Sequence, residues 1–319
     1  MLDALLDGYT RSLLVFAGIH VIAAYSFYAP YKTGQVSLGQ AGFMAVGAYG
    51  SAILTQKFGM PFAGALIIGG LVTGVIGLVI GFPALRIKGI YLLLLTLGFS
   101  EIIAVIALSW EYIGGAQGFR SISFNPFTLE YVVAIVVILV IFFARLERSS
   151  LGRAMDSIHQ DETAAEVMGI DVVRIKLFAF GLGAFIAGVA GALYAHHATY
   201  LDSNTFNIMI SVEILMFVVV GGGSTYWGPL LGATVLNIIP EILRSLREWL
   251  ELIPVEWTNF YPMNAAYDYL HEFLDFENAK RLIAFGVILI LMMIFRPDGL
   301  LTRDSLRRMS SRRWKFRHA

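Results

Sequence analysis

Cysteine is absent from the 319 residues. That excludes disulfides, thiol nucleophiles and cysteine-based metal sites. Charge is scarce as well: 14% of the residues are Asp, Glu, Lys or Arg, against roughly 25% in an average soluble domain. Catalytic signatures are missing too. The chain has no GxxxxGK(S/T) phosphate loop, no HExxH zinc motif, no GxSxG elbow and no paired catalytic carboxylates. What fills the sequence is apolar, with 57% hydrophobic residues and a mean hydropathy of +0.72. A chain of 35.1 kDa cannot hide that much apolar surface from water. An ordinary soluble enzyme, a disordered protein and a nucleic-acid binder are therefore excluded. The strand alternation of an outer-membrane barrel is not seen. The fold class expected is an all-α polytopic membrane protein.

Apolar runs fall at 12–29, 41–57, 62–83, 90–109, 129–144, 177–197, 209–224, 229–243 and 281–295. Crossing the hydrocarbon takes about 20 residues, with a range of roughly 17–25. The first four runs and the sixth reach that length; the others need tilt, partner helices or polar flanks. The expected count is nine spans, within a range of eight to ten. The leading MLDALLDGYTRSLL carries acids where a signal peptide carries bases, so the first run is expected to be a retained helix.

Lys and Arg near span ends set the orientation. Arg145, Arg148, Arg153, Arg174 and Lys176 lie in the segment 145–176, Arg86 and Lys88 follow the third run, and the tail 296–319 holds eight Lys/Arg against two Asp. With nine spans all three regions share one side, expected to be the cytoplasm. The linker 244–280, with Trp249, Trp257, Tyr261 and several acids, is then extracytoplasmic, although Arg244, Arg247, Lys280 and Arg281 run against that side. In the tail, Trp314 and Phe316 among the basic residues suit contact with anionic lipid headgroups.

Two segments are unusually rich in glycine: GQVSLGQAGFMAVGAYGSA at 34–52 and GGGSTYWGPLLGATVL at 221–236. Two readings fit. Each segment is an interrupted helix lining a path, with Gln35, Ser37, Gln40 and Gly42 on it in the first (the polar three offering hydrogen bonds) and Gly222 in the second, or the segments pack closely through small residues, Gly39, Gly42, Gly47 and Gly50 in the first. Glu101 and Glu213 interrupt apolar runs, where a charge costs about 2.5–3.5 kcal/mol at the membrane centre. Each either serves a solute path or sits at an interface; Asn237 either bonds another helix or touches solute. His20 is expected to pair with a neighbour. The adjacent His196 and His197 diverge by about 100° on a helix and make a poor shared metal site, so no metal or cofactor is expected.

The segment 145–176 is too long and too regular for a bare connector. Ala154, Ile158, Ala165 and Met168 form a potential apolar stripe, on one or two short helices divided near Gln160–Asp161. An amphipathic helix between two spans suits a groove on a cytoplasmic partner.

DETAAEVMGIDVVRIKLFAFGLGAFIAGVAGALYA in that region resembles the coupling region of the branched-chain amino acid ABC-transporter permeases. TGQVSLGQAGFMAVGAY, GGGSTYWGPLLGATVL and FRPDGLL resemble three further signatures of the family, in its order, over residues 33–301. The order and the tail are most similar to the LivM-type subunit. The linker 244–280 departs from the family in its length. The resemblance implies a single permease domain over 1–319 in a bacterial inner membrane. It implies a second homologous permease, two cytoplasmic ATPase subunits, an extracytoplasmic solute-binding protein and a small amino acid solute. It further implies coupling through Gly152, Arg153, Ala154, Glu162, Ala164, Ala165 and Gly169, and no ATP hydrolysis by this chain. Urea, amides or other amino acids are alternative solutes; an ion-coupled transporter or channel using Glu101 or Glu213 is the alternative from another class.

Overall fold

Small residues decide where these helices meet. In the computed structural model, residues 8–85, 87, 89–251, 286, 287, 290 and 294 are described, with the backbone alone for 242–251. Ten α-helices make up most of these residues: α1 (Gly8–Tyr31), α2 (Gln40–Gln56), α3 (Phe62–Ala84), α4 (Ile90–Ser109), α5 (Thr128–Arg148), α6 (Ser150–Gln160), α7 (Glu162–Val167), α8 (Val172–Ala198), α9 (Ile208–Gly221) and α10 (Trp227–Glu251). No named strand occurs among them; Phe119 and Leu201 make an isolated antiparallel bridge.

Helix α8 is the axis around which α1, α2 and α3 assemble. Asp171 caps its start by accepting from the Arg174 amide, and Thr199, with φ 60°, turns the chain out of it. Its run GLGAFIAGVAGA presents glycine and alanine in several directions. A Cβ on Gly191 would strike the Met44 carbonyl of α2, one on Gly188 would strike Thr73 of α3, and one on Gly183 would meet Ser26 and Pro30 of α1. Gly47 of α2 faces the Gly188 backbone in the same way. Lipid supplies no hydrophobic drive for helices to associate, so close contact between small residues holds them together.

Helices α1 and α5 run side by side in the same direction. Arg11 pairs with Glu130 near their starts, and Tyr28 with Glu147 near their ends. Antiparallel to α1, α8 brings Gly183 to Ser26 and the His197 ring to Phe16. Glu130 in the first turn of α5 and Arg145 and Arg148 in its last complement the helix dipole.

Five helices, α1, α3, α4, α5 and α8, are long and apolar enough to cross a membrane, and α9 is a shorter apolar helix. Eight of the nine expected runs fall on helices α1–α5 and α8–α10. The ninth, 281–295, lies largely outside the described residues, as do Arg86, Lys88, the tail 296–319 and most of the linker. Two expectations change. Helix α10 continues to Glu251, past the run 229–243 and into the expected linker, because Glu, Leu and Arg over 241–251 favour helix after Pro240. The glycine-rich segments are also not broken in mid-helix. Helix α2 is continuous over 40–56; the non-helical backbone is 34–39 before it and the turn 222–226 between α9 and α10.

Candidate functional site

The backbone between α1 and α2 is buried without being helical, so its polar groups need other partners. Side-chain hydroxyls supply them. The Leu38 amide donates to Thr96 Oγ1 of α4 at 3.0 Å, and the Gly42 amide to Ser100 Oγ at 3.2 Å. Ser100 in turn donates to the Leu38 carbonyl. The Ala41 amide donates to Ser211 Oγ of α9 at 3.0 Å. Ser37 accepts from the Gly39 amide, and Gln40 accepts from Ser26. Gln35, Ser37, Gln40 and Gly42 therefore occupy one buried segment clamped by α4 and α9. The sequence reading missed Thr96, Ser100 and Ser211; the available signal was hydroxyls in apolar runs, two of them one turn apart.

Gln35 stands out within this segment. It is 3% exposed, and neither carboxamide atom has a partner among the described residues. Thr225 Oγ1 is likewise buried and unpartnered in the α9–α10 turn. Both breaks lie against the end of α1. The Gly34 amide donates to the Tyr31 carbonyl, Tyr25 donates to the Tyr226 carbonyl at 2.7 Å, and Gly223 abuts the Tyr31 ring. Gly222 takes φ 103° there, which a side chain would resist.

An ion-pair cluster joins this end of α1 to α5 and α6. Lys32 is 4% exposed, with Nζ 2.5 Å from Asp156 of α6 and 3.6 Å from Glu147 of α5. The Tyr28 hydroxyl donates to Glu147 at 2.6 Å. His159 Nδ1 lies 2.9 Å from the Tyr31 carbonyl, a second tie between α6 and α1. Neither Lys32 nor Asp156 was singled out in the sequence.

Helices α6 and α7 divide at Asp161, which caps α7 by accepting from the Thr163 and Ala164 amides. The inward face of α6 is Gly152, Met155 and Ile158; Ala165 of α7 packs with Ile158 and Val172. Gly152 sits against the Leu146 carbonyl, where no Cβ fits. Arg153 and Ala164 face outward, and Glu162 pairs with Lys176 of α8 at 2.8 Å. The expected stripe is thus corrected. Ile158 and Ala165 are in it; Ala154 is only half-buried, Met155 takes the inward position, and Met168 is 81% exposed. The cause is Gly169, whose φ of 82° closes α7 with Ile170 N–H donating to the Ala165 carbonyl and Gly169 N–H to the Glu166 carbonyl. That turn leaves Val167, 82% exposed, and Met168 projecting together.

The other candidates are scattered. Glu101 is exposed on α4, and Glu213 is half-buried on α9. Asn237 of α10 is an inter-helix link: its Oδ1 lies 2.7 Å from His20 Nδ1, and its amide donates to the Ala233 carbonyl. His196 meets Thr55 and lines a cavity of about 450 Å³ at the end of the molecule away from α6, whereas His197 turns to Phe16. Among the described residues no group of three His, Asp or Glu converges as a metal site.

Comparison with known proteins spans all of these features. Residues 9–294 match the family described as branched-chain amino acid transport system / permease component. The chain is 30% identical over 331 aligned positions to the high-affinity branched-chain amino acid transport system permease protein LivM of Salmonella typhimurium, covering 92% of this chain and 69% of that protein. The same figures hold for LivM of Escherichia coli. Identity is 23% over 256 positions with a probable branched-chain amino acid transport permease protein LivM of Methanocaldococcus jannaschii, covering 75% and 68% of the two chains. No solved structure matches the chain. The matched stretch runs through both helix breaks, the Lys32 cluster and the α6–α7 face, and on that extent the chain belongs to the family of branched-chain amino acid transport permeases, multi-pass subunits of ABC importers.

Proposed function

We propose that this chain is the LivM-like half of an importer for branched-chain or closely related amino acids in a bacterial inner membrane. A second, homologous permease completes the path, two cytoplasmic ATPase subunits drive it, and an extracytoplasmic binding protein delivers the solute. The α6–α7 face supports this reading best. It presents Val167 and Met168 to solvent at the end of the short, capped helix α7, which Glu162–Lys176 ties to α8, while Lys32–Asp156 ties the preceding α6 to the end of α1. An apolar knob on a rigid mount suits a groove in a partner. Closure of the ATPase dimer on ATP would push α6, and the Lys32 pairs would carry that push to α1 and α5.

The path in this reading passes Gln35, Ser37, Gln40 and Gly42 in the first glycine segment and Gly222 in the second. A free carboxamide at Gln35 suits a transient hydrogen bond to a zwitterion or to water. High affinity resides in the binding protein, since a permeating solute must also leave. The run 281–295 is the ninth span, the linker after α10 lies outside, and the basic tail faces anionic headgroups on the cytoplasmic side. The test is reconstitution with the partner permease, ATPases and binding protein. Met168→Asp is expected to abolish solute-stimulated ATP hydrolysis and leucine uptake while membrane insertion persists; unchanged stimulation would sink the docking assignment.

A further inference from the structure

We infer that one exposed seam of α4 is the surface on which a second, non-identical permease subunit packs, with a hydrogen-bond donor of that partner set against Glu101. The inference rests on the importer reading above and adds to it the face used.

Helix α4 has two opposite faces. Leu92, Thr96, Ser100 and Ala107 point inward. Along the other side, Tyr91, Leu94, Gly98, Glu101, Val105 and Leu108 recur at alternating spacings of three and four, the seam by which one helix packs lengthwise on another. The large apolar members are well exposed: Tyr91 68%, Leu94 53%, Val105 59% and Leu108 48%. A Cβ added at Gly98 would meet nothing within 4 Å, so a notch opens one turn before the carboxylate.

Glu101 identifies the occupant. It is the twelfth residue of the 20-residue helix, flanked by apolar residues on both sides, and no described residue bonds to it. Lipid tails offer a carboxyl group no hydrogen bond, so this face needs protein or water. The other exposed helix faces behave differently. Helix α3 exposes Ile67, Leu71, Val75, Val79 and Phe82 and contains no ionisable residue, and the exposed middle of α5 has none. Those faces suit lipid. A second copy of this chain does not fit the α4 seam. Two-fold symmetry about the membrane normal would bring Glu101 to the same depth as its own copy, carboxylate facing carboxylate. A different chain with Arg, Lys, His, Asn or Gln at that depth satisfies the group. Behind the seam, Thr96 and Ser100 hold the 34–42 backbone. Movement of such a partner against α4 would therefore reach that segment directly.

The absence of cysteine lets each variant carry a single thiol in this chain. Single variants Leu94→Cys and Val105→Cys on α4, and Leu71→Cys and Val79→Cys on α3, are labelled with benzophenone maleimide in the isolated chain, assembled with the second permease and the ATPases, and irradiated in membranes. The α4 labels are expected to give adducts with the second permease, and the α3 labels are not. Adducts of the α4 labels with another copy of this chain, or none with protein while the second permease co-purifies, would overturn the inference. If the second permease and the ATPases fail to co-purify with the unsubstituted chain, the importer reading falls instead. Glu101→Leu is expected to lower retention of the second permease about tenfold, with Glu101→Gln retaining it. Equal retention by the leucine variant would remove the donor from the account.

Discussion

Helices α8 and α4 are both long, apolar and free of proline, yet they occupy opposite environments. Buried residues make up 72% of the most apolar stretch of α8 and 22% of that of α4. Side-chain size is the difference. Glycine and alanine on α8 bring three neighbouring backbones into contact, while leucine, isoleucine and valine on α4 keep neighbours at a distance on one side. On its other side α4 attaches through two hydroxyls. Hydropathy treats the two helices alike because both are equally unwelcome in water. Volume separates them, because association in lipid depends on how closely backbones approach.

The largest expected effect tests that contrast on α8. Gly191→Leu would drive a branched side chain into the Met44 carbonyl, and the folded protein should fail to accumulate, measured by fluorescence-detected size exclusion of membrane extracts. A monodisperse variant at normal yield would break the comparison. Next is the cluster that joins α1 to α6 by charge instead of shape. Lys32→Met removes the buried cation that bridges Glu147 and Asp156 and should destabilise the protein by about 3–5 kcal/mol, read as a lowered melting temperature in detergent together with lost coupling of ATP hydrolysis to uptake. Double substitution of Lys32 and Asp156 by apolar residues should recover part of the stability without the coupling.

A smaller effect belongs to the inner face of α4. Ser100→Ala removes the acceptor of the Gly42 amide and the donor to the Leu38 carbonyl, at a cost of about 1–3 kcal/mol in thermal unfolding. Asn237→Leu, which deletes a single inter-helix bond to His20, should cost about 0.6 kcal/mol by the same assay. Smallest of all, Val75→Ala on the exposed face of α3 should stay within about 0.5 kcal/mol of the parent. A large loss there would mean that a face read as lipid-covered touches protein.

Much of this architecture was legible in advance. Apolar runs located eight helices, and the polar stretch after α5 divided into two helices at the residue expected, since Asp161 is a strong cap placed before a helix-forming run. Glycine pointed to close contacts; Gly39, Gly42 and Gly47 make them, whereas Gly50 faces open space with nothing within 4 Å of an added Cβ. Less legible was everything that depends on direction. The inward face of α6 passes through Met155 and not Ala154, and Met168 points out because the Gly169 turn rotates it away. Thr96, Ser100 and Ser211 are unremarkable in an apolar run until a neighbouring backbone lacks partners. Lys32 and Asp156 are 124 positions apart, and no local pattern announces a pair at that separation.

Sequence alone determined the membrane class, the helical content, the placement of eight apolar helices and the family signatures, because each is a property of one segment against its solvent or its own backbone. Only the tertiary structure decided which glycines touch which backbone, which hydroxyls close the α1–α2 segment, and which ion pairs fasten α6 to α1. Those are relations between distant segments, and they exist only once packing has brought the partners within bonding distance.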